Sequence, residues 1–250
     1  MAGAALPLES LVKRDRNLVG AALCAVTAIA WIDLAYMARG MGVESMPIHW
    51  SAGYFAAMFA MWVVMMVGMM IPSAAPAILL FSALRRHSRT SGLGATSLFA
   101  VGYLIAWTGF SLLATTAQWA LSQASLLSPF MASEGPELGA FLFIAAGLYQ
   151  LSPLKHACLS KCRSPAQFLV EHWRDGSLGP LVVGMDHGIY CVGCCWAVMA
   201  LLFVFGVMNL MWVAVLAAFV LLEKLVPSGP RIAVWSGIAM LGMGLLLLNA

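Results

Sequence analysis

Long apolar runs separated by short polar or charged connections organise the whole chain. Runs near 18–38, 54–80, 95–121, 137–152, 179–205, 208–226 and 231–248 each have the length and hydropathy of a membrane-spanning helix, which predicts about seven spans. The fourth run is short at its apolar centre. Gly206-Val207-Met208-Asn209 leaves little room for a turn between the fifth and sixth. Hydrocarbon offers the backbone no water, so each span has to close its own hydrogen bonds as a helix. The expected fold is all-α, a polytopic transmembrane helical bundle.

Composition strengthens that reading. Apolar residues make up 62% of the 250 positions and charged residues only 9%, far from the balance of a soluble domain. Residues 1–17 are polar and read as a cytoplasmic N-terminal segment with no secretory signal, and residues 18–250 read as one bundle. Basic residues set the orientation. Lys13, Arg14 and Arg16 precede the first run; Arg85, Arg86 and Arg89 follow the second; Lys155, Lys161, Arg163 and Arg174 follow the fourth; Lys224 and Arg231 follow the sixth. Only Arg39 falls in a connection of opposite parity, so the N-terminus is expected in the cytoplasm and the C-terminus outside. These topology signals account for the net charge of +3, and no nucleic-acid partner is expected.

The densest chemistry lies in Gly184-Met185-Asp186-His187-Gly188-Ile189-Tyr190-Cys191-Val192-Gly193-Cys194-Cys195-Trp196. On a helix, His187, Cys191 and Cys194 share an arc of about 60°, with Cys195 beside them. Thiolate and imidazole are soft and borderline ligands that select Cu(I), Zn(II) or an iron–sulfur unit. The alternative is a buried helix whose cysteines pack as small hydrophobes. In the second run, Met58, Met61, Met65 and Met69 recur at spacings of three, four and four and form a thioether stripe. Thioethers favour Cu(I), with Met65 and Met69 at the depth of His187; the same stripe also suits gap-filling between helices. Pro72 and Pro76 are expected to break that helix and free backbone carbonyls.

The connection 153–178 reads as a cytoplasmic loop with an interfacial helix. It carries His156, Cys158 and Cys162, then Ser164-Pro165-Ala166-Gln167, the pattern of a helix start with a capping box, and then Phe168, Leu169, His172 and Trp173. Cys158 and Cys162 are one turn apart and suit a soft metal arriving at the cytoplasmic face; two reduced thiols are the alternative. Other positions carry less. Asp33 near the outer end of the first run reads equally as functional or structural, and Cys24 reads as packing. Glu44, Met46 and His49 make an outer loop that reads equally as weak capture or solvated surface. The third run reads as scaffold, and Glu223-Lys224 foremost as a boundary marker, with a pair supporting the metal site or a lipid anchor as the alternatives.

Several of these stretches resemble a bacterial family catalogued as predicted metal-binding integral membrane proteins, some of whose members are labelled copper chaperones. The resemblance rests on Met65-Met66 and Met69-Met70-Ile71-Pro72-Ser73-Ala74-Ala75-Pro76, on Cys158-Leu159-Ser160-Lys161-Cys162-Arg163-Ser164-Pro165-Ala166-Gln167, on His172-Trp173-Arg174-Asp175-Gly176, and on His187 to Trp196. Gly206-Val207-Met208-Asn209-Leu210 and Leu222-Glu223-Lys224-Leu225-Val226-Pro227 extend it. It implies a bacterial inner-membrane protein that binds metal. The expected function is handling of Cu(I), with lipid around the bundle and a copper-donating or copper-receiving protein as partner. Zinc is the lesser expectation, since methionine has no part in a zinc site. The candidate ligands are His187, Cys191, Cys194, Cys195, Met65, Met69, Cys158, Cys162, His156 and His172. A copper-dependent subunit of a membrane oxidoreductase or monooxygenase is the alternative, and a scaffold without metal the second. No phosphate loop or Ser/His/Asp order points to a hydrolase or ATP-driven pump, and the chain is not expected to be an enzyme on its own.

Overall fold

The computed structural model describes residues 8–41, 50–85, 92–128 and 131–249, and their side chains except at 8–15, 40–41 and 92. Glu44, Met46, His49, Arg86 and Arg89 lie outside the described residues. The elements in order are α1 (Leu8–Met41), α2 (Ala52–Arg85), α3 (Gly92–Gln123), α4 (Pro136–Leu151), α5 (Pro153–Arg163), α6 (Pro165–Glu171), α7 (Gly179–Ala200), α8 (Leu202–Phe205), α9 (Leu210–Leu225) and α10 (Gly229–Leu248). Among the described residues no strand forms beyond an isolated bridge between Leu127 and Ser133.

Five helices are long and apolar enough to cross a membrane: 16–39, 52–85, 93–123, 179–205 and 229–248. They match the first, second, third, fifth and seventh expected spans. The fourth and sixth fall short, because α4 and α9 have 16 residues each, roughly 24 Å at 1.5 Å per residue against a hydrocarbon core of about 30 Å. A sixth span arises only if α4 and α5 are one crossing bent by 64°. The bend is local chemistry. Ser152 accepts a hydrogen bond from the Lys155 amide and Pro153 takes the first helical position, so the chain starts a new helix there.

Pro72 and Pro76 do not break α2, which runs through both. Pro72 has no amide hydrogen to give the Gly68 carbonyl four residues earlier, and the Trp31 indole of α1 donates to that oxygen at 3.2 Å instead. The lost bond is replaced across helices.

Helices α3 and α7 pack closely along their length. A Cβ on Gly102 would collide with the Leu181 carbonyl, and one on Gly184 with the Phe99 carbonyl, so only glycine permits this approach. The contact sets Tyr103 against the thiol motif.

The segment 153–178 folds as α5 and α6 rather than as a loop with one helix. Phe168 and Leu169 are buried, and α6 packs against α2. The expected capping box does not form. Ser164 makes no side-chain cap, and Gln167 donates to Glu171 at 2.8 Å, one turn on, instead of reaching back. Lys161 and Gln167 together hold the Glu171 carboxyl below the usual carboxylate range.

Glu223 and Lys224 are not a boundary marker, since both are buried. Glu223 pairs with Lys155 at 2.7 Å, and the Gln150 amide donates to Glu223 and, at 2.8 Å, to Ser236. One node therefore joins α4, α5, α9 and α10. Arg163 closes the end of α9, donating to the Glu223 and Val226 carbonyls at 2.6 Å each. Removing one charge of the pair strands the other. Glu223→Leu is expected to lower stability by about 3–5 kcal/mol, and Lys155→Met/Glu223→Leu together by much less, measured by chemical unfolding in detergent.

Candidate metal centre

Cys191 is the point at which four helices meet. Its Sγ lies 2.8 Å from Lys224 Nζ of α9 and 3.0 Å from the Tyr103 hydroxyl of α3. The same ammonium donates to Ser73 of α2 at 3.0 Å, and Tyr103 donates to the Met70 carbonyl at 3.2 Å. Among the described residues Lys224 has no carboxylate partner, because Glu223 is held by Lys155. An ammonium in a dry interior needs a negative counterpart, and Cys191 sulfur is the group placed to supply it. Such a pairing complements a thiolate, the form in which cysteine binds metal.

The α5 thiols come to the same place. Cys162 lies near enough to Cys191 and Cys194 for its thiol to feel both. Cys158 lies against Gly193, where an added Cβ would sit 2.8 Å from its sulfur. Five of the six cysteines thus gather where α5 packs on α7, all of them free thiols. Cys24 stands apart, exposed on α1 rather than packed. Convergence is not yet coordination. Cys194 and Cys195 both turn back and donate to the Cys191 carbonyl, at 3.1 and 3.0 Å. Among the described residues no three His, Cys, Asp or Glu groups stand at the spacing of a bound ion.

The histidines are placed unequally. His187 is buried among Phe99, Tyr103 and Phe168, with ring centroids 6.1, 5.9 and 5.0 Å away, and its Nδ1 has no hydrogen-bond partner among the described residues. His172 stacks on the Phe168 ring at 4.4 Å and is bound to the Phe168 carbonyl through Nδ1. His156 is two positions before Cys158 on α5 and therefore points about 160° away from it around the helix. Met65 and Met69 are buried in the core of α2, with Met69 adjacent to Met70 and one turn before Ser73. Asp186 faces Arg174 at 3.5 Å, and Asp33 is exposed on α1.

Sequence reasoning placed Lys224 chiefly at a membrane boundary and passed over Tyr103 and Ser73 as site residues. A charged residue inside an apolar helix was the available signal for Lys224. The tyrosine and serine carried none, since their roles come from the packing of α2 and α3.

The family model described as PpoB2, copper chaperone, matches residues 59–247. The chain belongs to this copper chaperone family. The matched region runs from α2 through α10 and includes every cysteine of the cluster and Lys224, while α1 with Cys24 and Asp33 lies before it. No curated protein and no solved structure matches the chain. For this member of the copper chaperone family, the Lys224 contact predicts a reactive sulfur at Cys191. In a variant keeping Cys191 as its single cysteine, Lys224→Met is expected to slow mixed-disulfide formation with a small methanethiosulfonate, which releases methanesulfinate, by about tenfold, followed by mass spectrometry.

Proposed function

We propose that this membrane protein binds Cu(I) at Cys191, together with thiols from Cys194, Cys195, Cys158 and Cys162, and passes the ion to a protein acceptor or across the bilayer. The observation that carries this reading is the packing of α5 on α7, which sets Cys158 against Gly193 and brings Cys162 beside Cys191 and Cys194. Distant parts of the chain would have no reason to bring their thiols together in hydrocarbon merely to pack. A sulfur-rich, water-poor pocket selects a soft monovalent ion over hard cations. It also holds more thiols than one such ion requires, and the surplus sulfurs permit exchange of one Cu–S bond for another without a change of oxidation state.

Met65 and Met69 extend the soft donors along α2. His187, His172 and His156 are the less favoured ligands, since the first two pack against the Phe168 ring, His172 with its Nδ1 bound to a backbone carbonyl, and the third points away from Cys158. The distribution of Lys and Arg supports a cytoplasmic N-terminus in a bacterial inner membrane, with the thiol pocket toward the cytoplasmic half. A copper-dependent oxidoreductase subunit is the second reading, and the unpartnered Nδ1 of His187 is the observation in its favour, because redox copper uses nitrogen donors.

Purified protein loaded with Cu(I) under reducing conditions is expected to retain copper in elemental analysis. Cys191→Ser should lose most of it, and Cys194→Ser a large part. His187→Ala is expected to keep the metal under the handling reading. Copper-dependent oxygen uptake that disappears in His187→Ala would favour the oxidoreductase, and copper-free wild-type protein would remove both.

A further inference from the structure

A second group of sulfurs lies far from the thiol pocket. Met58 is twelve residues before Met70 on α2, about 18 Å along the helix axis, and Gln118 is near the corresponding end of α3. Gln118 Nε2 points at two thioethers, Met131 Sδ at 3.1 Å and Met58 Sδ at 3.8 Å. The orientation of the amide is set by Trp62, whose indole donates to Gln118 Oε1 at 2.7 Å. All four side chains are buried, with Gln118 only 1% exposed.

Two features are unnecessary for packing. Thioether sulfur is a weak acceptor, so the amide hydrogens are poorly matched in a place where a polar group needs good partners. Met131 also adopts φ 57°, a left-handed conformation that an unbranched side chain seldom takes and that costs about 1–3 kcal/mol. The surrounding chain holds it there. The Met131 amide donates to the Ser128 carbonyl at 2.8 Å, Val207 donates to the Met131 carbonyl at 3.4 Å, and Ser133 donates to the Phe203 carbonyl at 2.8 Å. The strained residue is thereby turned inward until its sulfur and that of Met58 face one nitrogen.

We infer that Met58 and Met131 form a second Cu(I) site, in which the ion takes the place of the Gln118 amide between the two thioethers. Binding makes two Cu–S bonds, breaks two weak N–H···S contacts, and leaves copper as Cu(I). Thioethers are neutral and hold the ion less firmly than thiolates, so this site gives up its ion to the cysteine pocket. Met61, Met65 and Met69, all buried on the same helix, lie between the two. The inference rests on the Cu(I)-handling reading but uses different atoms.

The test separates the two. Protein with all six cysteines, Cys24, Cys158, Cys162, Cys191, Cys194 and Cys195, replaced by alanine is titrated with Cu(I) in detergent, without oxygen, against a competing chromogenic chelator. It is expected to hold roughly one Cu(I) per chain, bound by sulfur alone in X-ray absorption. Adding Met58→Leu/Met131→Leu, a volume-conserving change, should weaken that binding at least tenfold while the copper-free protein still unfolds cooperatively, with only the modest fall in melting temperature expected from losing two weak N–H···S contacts. In the cysteine-intact protein the same pair should leave the tighter site in place. The inference is overturned if the cysteine-free protein binds no copper while the wild type does, or if its binding ignores both leucines. Copper-free wild-type protein would overturn the handling reading as well.

Discussion

An ammonium group buried in an apolar bundle constrains everything around it. Lys224 meets Cys191 sulfur, Ser73 oxygen and no carboxylate among the described residues, so the energy of keeping its charge out of water depends on those two contacts. That requirement draws α9 toward α7 and α2 at one depth. Tyr103 closes the group from α3, which comes near enough only because Gly102 and Gly184 lack side chains. The thiol motif therefore faces inward for an electrostatic reason as well as a hydrophobic one.

The same rule explains the polar groups elsewhere in the bundle. Hydrocarbon leaves an unpaired donor or acceptor nowhere to turn, so several irregularities in one helix are matched by a side chain from another. Trp31 answers the carbonyl exposed by Pro72, Arg163 answers the end of α9, and Gln150 joins the Lys155–Glu223 pair to α10. The Lys155 node and the Lys224 cluster are neighbours, because Glu223 and Lys224 are consecutive. Fixing the carboxylate on one side of α9 aims the ammonium at the other.

What could be read from residues alone follows from how local each signal is. Helicity, the five longer spans and the clustering of His187, Cys191 and Cys194 on one face depend on periodicity within a single segment, and these were legible. The family was legible too, through the Cys158–Gln167 and His187–Trp196 stretches. The shortness of α4 was legible in its short apolar run, but that of α9 was not, because apolar residues such as Val207, Met208 and Val226 continue beyond its ends into the turns. Neither was the continuity of α2 through Pro72, which depends on an indole 41 residues earlier in the chain. Ser164 looked like a cap and makes none, since Gln167 finds Glu171 first. Lys224 was read as a marker of the membrane surface because a lysine near the end of an apolar run usually is one; only the fold shows that this end is buried.

The resting geometry of the thiols bears on what the pocket is suited to do. Cys194 and Cys195 each give a weak S–H hydrogen bond to the same carbonyl, that of Cys191, already an acceptor from its own helix. Releasing either thiol requires a rotation about one side-chain bond and no movement of backbone. Cys191 is different, because its sulfur is held by an ion-pair-like contact and a hydroxyl on two other helices. One anchored sulfur surrounded by loosely parked ones is an arrangement in which a soft ion binds first at a fixed point and then gains or loses further ligands through small barriers. A site built to keep its metal would fix all its donors at once; here the fold fixes one and leaves the rest free to exchange.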